Sequence, residues 1–315
     1  MTLDQDKLTA SAKGFRALFF NELRRDPGLW SQFAMNVPCE GQSNEYDWLG
    51  GPPSVEEWAS GNRPMGSLKA YNYEINDKIW ANGLRVKRKH IEDDKLGLYA
   101  PVIRMMAMDF DLKKTKRVFA DLFLSGFAGT IQTAYDGQFF FDSDHLDNEE
   151  TAQSNKATAA LSAAALETAL ETMMQYTDDR GEKLDVFPTH LVVPPQLRAT
   201  ALRILGRGIV DENSAGVTNI NNGVVQLIVA PWLAAQAAYW FLVDLSKMLK
   251  PFIFQPRIPV DFQALINPQD PNVFNADQYY YGGRERFNIS YGAWQLAYGR
   301  DGTTSSEGQR PCKKP

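Results

Sequence analysis

The clearest periodicity in the chain lies between Tyr71 and Gly126. It opens with alternation, Tyr71-Asn72-Tyr73-Glu74-Ile75, continues through Lys78-Ile79-Trp80, and passes into a charged run from Arg85 to Asp94. Alternating apolar and polar residues mark a half-exposed strand. Asn76-Asp77 and Asn82-Gly83 are both turn-competent, so the stretch predicts a long β-hairpin over about residues 69–91. It holds too few apolar residues for a core of its own, and an isolated hairpin is marginal in water. Something else must support it.

The pattern then changes to steps of three and four. Met105, Met108, Leu112, Phe119 and Leu122 share one helical face, and Lys113, Lys114, Lys116, Arg117 and Asp121 share the other. This predicts an amphipathic helix over 99–125 whose methionine face lies on a core. Pro101 suits its first turn, Glu92, Asp93 and Asp94 precede it on the favourable side of the dipole, and Gly126 serves as its C-cap. At roughly 1.5 Å per residue it is on the order of 36 Å long, enough to run along a whole domain.

The same reading covers the rest. Phe15, Leu18, Phe19 and Leu23 predict a helix that ends at Asp26-Pro27-Gly28, with Arg24 and Arg25 in its last turn. Such a helix is either core packing or an arm docked on a neighbour. Residues 38–67 are rich in glycine and proline, and Tyr46-Asp47-Trp48 and Glu57-Trp58 read as a loop pinned by two tryptophans; the alternative is an aromatic platform for a ligand. A helix is expected over 157–176, strands over 186–193, 224–230 and 239–245, and a helix from Pro194-Pro195 to Leu205. Together they form an α/β unit with a long polar loop at 206–223. Residues from Lys250 to Tyr298 read as strands, and 303–315 as a polar, flexible tail.

Composition narrows the function. A net charge of −5 over 315 residues argues against a protein whose main affinity is for nucleic-acid phosphates. Two distant cysteines, Cys39 and Cys312, are no disulfide framework and fit a reducing compartment. No stretch approaches the roughly 20 apolar residues of a membrane span, and the N-terminus lacks the pattern of a signal peptide.

No nucleophile elbow, zinc-protease helix, phosphate loop or dinucleotide fingerprint occurs. Asp142, Asp144, His145 and Asp147 invite a metal reading. Zinc sites favour spaced His and Cys, and calcium loops need more oxygen ligands in a set order. A loop closed by Asp side chains on backbone amides is the better reading. His190 lies in an apolar strand as a core residue, and His90 lies among exposed charges.

A set of motifs, in order, carries a resemblance. They are Tyr46-Asp47-Trp48-Leu49-Gly50; Glu57-Trp58; His90-Ile91-Glu92-Asp93-Asp94-Lys95-Leu96-Gly97; Tyr135-Asp136-Gly137-Gln138-Phe139-Phe140-Phe141-Asp142-Ser143-Asp144-His145; Leu191-Val192-Val193-Pro194-Pro195; Lys250-Pro251; and Tyr281-Gly282 before Arg286. The chain resembles the major head subunit of Mu-like tailed phages along nearly its whole length. The resemblance implies an α+β, HK97-like tailed-phage capsid fold. Its expected plan is an N-terminal arm with a Trp-rich loop (1–68), an extended hairpin loop (69–91), a peripheral domain (92–154) with a spine helix (99–125), an axial domain (155–248), a return to the peripheral domain (249–300) and a flexible tail (301–315).

It further implies a structural protein with no catalytic residue, metal or cofactor. Such a chain assembles with itself into hexamers and pentamers of an icosahedral shell. Its partners are a scaffold, a portal and decoration proteins, with packaged double-stranded DNA beside it and no membrane. It is made in the host cytoplasm and resides in the virion. The charged run suggests the contact between subunits: Lys78, Arg85, Lys87, Arg88 and Lys89 against Glu92, Asp93 and Asp94. A merely solvated charged face is the other reading. Relatives of this fold include some welded by a Lys–Asn isopeptide bond, for which Lys78 and Asn288 are the pair on offer, and some that lose an N-terminal leader, which is not expected here. Two further readings are a soluble α/β enzyme with a pocket near 206–223 or the Asp142–Asp147 cluster, and an accessory virion protein that binds through Trp48 and Trp58.

Overall fold

The computed structural model describes residues 5–23, 28–41, 43–46, 49, 57–58, 72–93, 95–146, 152–178, 181–206 and 219–301. Asp94, Asp47, Trp48, Asp147, Arg24, Arg25, Cys312, most of the turn-rich stretch, the greater part of the 206–223 loop and the tail beyond Asp301 lie outside them. The chain divides into two compact units. The first takes Met1–Asn44, Glu74–Val118 and Ile253–Ile289; the second takes Glu45–Tyr73, Phe119–Phe252 and Ser290–Pro315.

The first unit is built on a four-stranded sheet in the order Ala34–Asn36, Phe252–Leu265, Gln278–Tyr291, Lys78–Lys87. Two helices, Gln5–Leu23 and Ala100–Lys116, pack on each other. Leu8, Phe15 and Phe19 of one helix join Ile103, Ala107 and Phe110 of the other in a core with Val86, Phe262, Tyr279 and Tyr281 from the strands. A Cβ on Gly283 would lie 2.7 Å from the Phe110 ring and 3.1 Å from that of Phe19, so glycine is what lets both aromatics close on the strand. Gln5–Leu23, which the resemblance places in an N-terminal arm, is core packing within its own chain, the other reading that its residues allow.

Among the described residues 72–91, the expected hairpin over 69–91 does not form. Lys78–Lys87 pairs antiparallel with the late strand, from Lys78 opposite Phe287 to Lys87 opposite Gln278. Glu74–Asn76 pairs instead with Ser43–Glu45. Asp77 stands between these two strands. Alternation identifies a strand but says nothing of its partner, and here the partner is far along the chain.

The long helix runs as Ala100–Lys116, then a π-helical segment Arg117–Leu122, then Phe123–Ser125. Its buried face is not the methionine stripe. In the first part the buried residues are Ile103, Ala107, Phe110, Lys114 and Thr115, while Met105, Met108 and Leu112 are exposed. Lys114 and Arg117, expected on the solvent side, are buried. The π segment breaks the stripe further on: its wider turn shifts the phase of the helix. Phe119 and Leu122 are buried, so they do not continue the face that the three earlier residues occupy. Gly126 ends the helix with φ −61° and ψ −21°, not in the left-handed form of a glycine cap. A Cβ there would lie 2.7 Å from the Phe141 ring, so close approach explains the glycine.

The second unit holds a five-stranded mixed sheet in the order Lys156–Ala157, Ala297–Arg300, Trp240–Val243, His190–Val193, Gln226–Val229. Trp240–Val243 is antiparallel to both of its neighbours, and the two outer pairings are parallel. The last strand, Ala297–Arg300, lies inside this sheet, so the chain from Ser290 onward belongs to the second unit and not to a return into the first. The alanine-rich helix spans Ala163–Met174 and starts later than residue 157, because Ser162 caps it by accepting a hydrogen bond from Ala165 N at 3.1 Å. Ala157 is already committed to a strand. Phe140 and Phe141 are fully buried, whereas Phe139 is 37% exposed and packs on Gly129.

Candidate assembly surface and the polar groups beneath it

The charged residues singled out for subunit contact sit on two short elements of the first unit. Lys78, Arg85 and Lys87 are exposed along one strand, and Lys89, Glu92 and Asp93 lie on or next to the helix Arg88–Glu92 that follows. Arg85 lies over the ring of its cross-strand neighbour Tyr280 at 5.8 Å. Arg88 Nε bonds Glu92 at 3.0 Å and lies 4.0 Å from Asp277. Part of the expected intersubunit charge match is thus satisfied within the chain, as an exposed pair that contributes only about 0–1 kcal/mol. His90 Nδ1 pairs with the Tyr99 hydroxyl at 2.5 Å.

Sequence patterns did not reveal the buried polar groups that fix these elements. Asp77, its side chain 3% exposed, accepts from Arg257 at 3.0 Å and from Arg286 at 2.6 Å. Burial works to raise its pKa, but the two arginines outweigh it and hold the carboxyl below the usual aspartate value. This group sits where one strand pairing ends and the other begins. Nearby, Asn288 donates to Asn76 O at 2.7 Å and accepts from Ile289 N at 2.9 Å. Its side-chain amide thus ties the late strand to the strand Glu74–Asn76.

A second buried group lies beneath the long helix. Lys114 Nζ reaches Glu285 at 2.9 Å and Asp111 at 3.4 Å. It also faces the rings of Phe287, Trp30 and Phe254 at 5.3, 5.6 and 5.6 Å. Desolvation raises the Glu285 pKa against the pull of Lys114.

In the second unit, the Tyr135–His145 motif is structural. His145 is fully buried, bonds Asp136 Oδ2 at 2.6 Å and Asn155 Oδ1 at 3.2 Å, and stacks on Trp294 with ring centroids 4.0 Å apart. Asn155 donates to the carbonyls of Phe140, Trp294 and Ala297. Asp142 accepts from the amide of Ser143 at 2.8 Å. Asp142 and His145, two of the candidate metal ligands, thus serve the turn. Among the described residues no cluster of His, Cys, Asp or Glu is arranged to hold a metal, and no helix is long and apolar enough to cross a membrane. His190 pairs with the Thr189 hydroxyl at 2.8 Å, and burial lowers its pKa. Trp58 is 58% exposed.

A long helix laid with an N-terminal helix on a sheet of long strands, and a separate mixed α/β unit, make up the layout of a tailed-phage shell subunit. The solved procapsid of bacteriophage JBD30 shares it with a TM-score of 0.60 and 27% identity, covering 98% of this chain and 78% of that one. The fold is the HK97-like capsid fold.

The chain belongs to the Mu-like prophage major head subunit gpT family, which it matches over residues 8–160, 153–233 and 234–312. It is 28% identical over 302 residues to the Mu-like prophage FluMu major head subunit of Haemophilus influenzae, covering 96% of this chain and 75% of that protein. It is 25% identical over 298 residues to the major capsid protein of Escherichia phage Mu, covering 94% and 74%. The chain is thus a major capsid protein of the Mu-like type, a structural virion component from a family not known for enzymes, and it assembles with copies of itself.

Proposed function

We propose that this chain closes an icosahedral phage head from hexamers and pentamers of itself, around double-stranded DNA that it touches by proximity and without sequence preference. The observation that carries this reading is the match to the head-subunit family along nearly the whole chain. A scaffold sets the curvature, a portal occupies one vertex, and decoration proteins add to the outside. Synthesis takes place in the host cytoplasm. A net charge of −5 fits a container filled by an energy-driven motor, because one that recruits its genome electrostatically needs basic surface.

In this plan the first unit is the peripheral domain and the second holds the axial domain. Lys78–Lys87, expected in the extended loop, is committed to the sheet of the first unit, while the strands Ser43–Glu45 and Glu74–Asn76 pair with each other and Tyr46 N donates to Tyr73 O at 2.8 Å.

Sedimentation and negative-stain microscopy of the full chain, with and without its scaffold, test the proposal. Closed particles or capsomers are expected. A compact monomer under both conditions overturns it.

A further inference from the structure

The five-stranded sheet of the second unit ends in an open edge. Gln226–Val229 is its outermost strand and pairs on one side, parallel to His190–Val193. Gln226 N donates to Thr189 O at 2.8 Å, and Ala230 N donates to Val193 O at 2.9 Å. Along a strand, the backbone groups turn to the same neighbour at every second residue. Gln226, Ile228 and Ala230 therefore face inward, and Leu227 and Val229 face out. The N–H and C=O groups of Leu227 and Val229 have no hydrogen-bond partner among the described residues.

Open edges are normally guarded by charge, proline or a bulge. The edge strand Lys78–Lys87 of the first unit is guarded in this way, with Lys78, Arg85 and Lys87 exposed along it. Gln226–Val229 carries neither charge nor proline. It lies in a run, residues 213–243, that contains no Asp, Glu, Lys or Arg. Ile220 and Val224, just before it, are exposed. Unpaired backbone on an extended strand is complemented by another extended strand. The missing charge indicates whose. Copies that each carry a net charge of −5 repel one another, and a neutral margin is where two of them meet at the least electrostatic cost. The chain assembles with copies of itself.

We propose that an extended segment of a second copy pairs with the outer edge of Gln226–Val229, bonding the outward N–H and C=O groups of Leu227 and Val229 and carrying the sheet of the second unit into its neighbour. This deepens the shell reading and rests on it for the ring of copies. Identical edges laid together close only a pair. Within a hexamer or pentamer the segment therefore comes from a different part of the neighbour than its own Gln226–Val229.

Amide hydrogen exchange of the full chain, as free subunit and as assembled oligomer, tests it. In the free subunit the amides of Leu227 and Val229 should exchange fast while that of Ile228 is protected. On assembly the two outward amides should slow about a hundredfold. Val229→Pro removes only an outward N–H, which an edge strand tolerates, so the subunit should fold while its oligomer yield falls about tenfold. Ile228→Pro removes an inward N–H and should lower the denaturant midpoint of the subunit. If Val229→Pro does not fold, exchange in the unmodified chain decides alone. The pairing is overturned by outward amides that are already protected in the free subunit, that stay open in oligomers, or that a scaffold protects on the monomer. A Val229→Pro chain that folds and assembles at full yield overturns it too. Oligomers whose outward amides stay open leave the shell reading standing. Protection in oligomers that never close a head overturns the shell reading alone, and a chain that stays monomeric overturns both.

Discussion

Lys114 Nζ lies 2.9 Å from a Glu285 carboxylate oxygen, with 8% of one side chain and 6% of the other exposed. The pair joins the long helix to the late strand of the four-stranded sheet in an aromatic surround. An ion pair removed from water gains little net energy, but losing one partner leaves a buried charge. Lys114→Met should cost about 3–5 kcal/mol in urea unfolding of the subunit, and Lys114→Met with Glu285→Leu should recover most of that loss. A double variant as unstable as the single one would show that the charges, and not their isolation, matter.

The two buried carboxyls give opposite pH signatures. Glu285 has a raised folded pKa, so the folded state binds the extra proton. Its contribution is full below the usual glutamate range and falls as pH rises through the raised value. Asp77 has a depressed folded pKa, so its contribution is present above the usual aspartate value and is lost as pH falls through the lowered one. Denaturant midpoints across pH should show that Glu285→Gln removes the upper limb and Asp77→Asn the lower. Asp77→Ala, which strands Arg257 and Arg286, should cost on the order of 3–5 kcal/mol at neutral pH.

Asn155 binds three carbonyls and accepts from the amide of Asp142. Asn155→Ala leaves buried acceptors unsatisfied, each at about 1–3 kcal/mol. The expected outcome is a subunit destabilised by several kcal/mol, with His145 displaced from Trp294. Tryptophan fluorescence and thermal unfolding read both effects. A neutral substitution would mean that water replaces the amide.

Segments 46–73 and 78–87 should behave differently on removal. Deleting 78–87 strips an entire strand, including fully buried Val86, from the first core and should leave no cooperative unfolding transition. Replacing 50–70 with a short Gly/Ser linker bridges ends that are already paired, so the subunit should fold and fail in particle formation. Calorimetry and sedimentation separate the two. A folded 78–87 deletion would return that strand to the role of a protruding loop.

Much of the fold was legible in the chain. The long helix showed itself because Pro101 and Gly126 bracket a three-and-four rhythm, and the second unit showed itself through its alanine-rich helix and the apolar run at 190–193. Which face of the long helix is inside was not legible. Two apolar stripes compete on it, and the methionine stripe is the more regular of the two, yet it is the outer one. The core stripe contains Lys114, which no hydrophobic pattern would select for burial, and its rhythm shifts at a π turn that sequence does not announce. Asp77, Glu285 and Asn155 gave no signal as single residues, since each matters through partners far along the chain.

By itself, the sequence determined the element types, the absence of any recognised catalytic motif and the family, because these rest on local periodicity and on ordered short motifs. Only the tertiary structure decided which strand pairs with which, which helix face meets the core and which charges are already spent within the chain. Those outcomes depend on contacts between distant residues, where burial and the satisfaction of polar groups outweigh local preference.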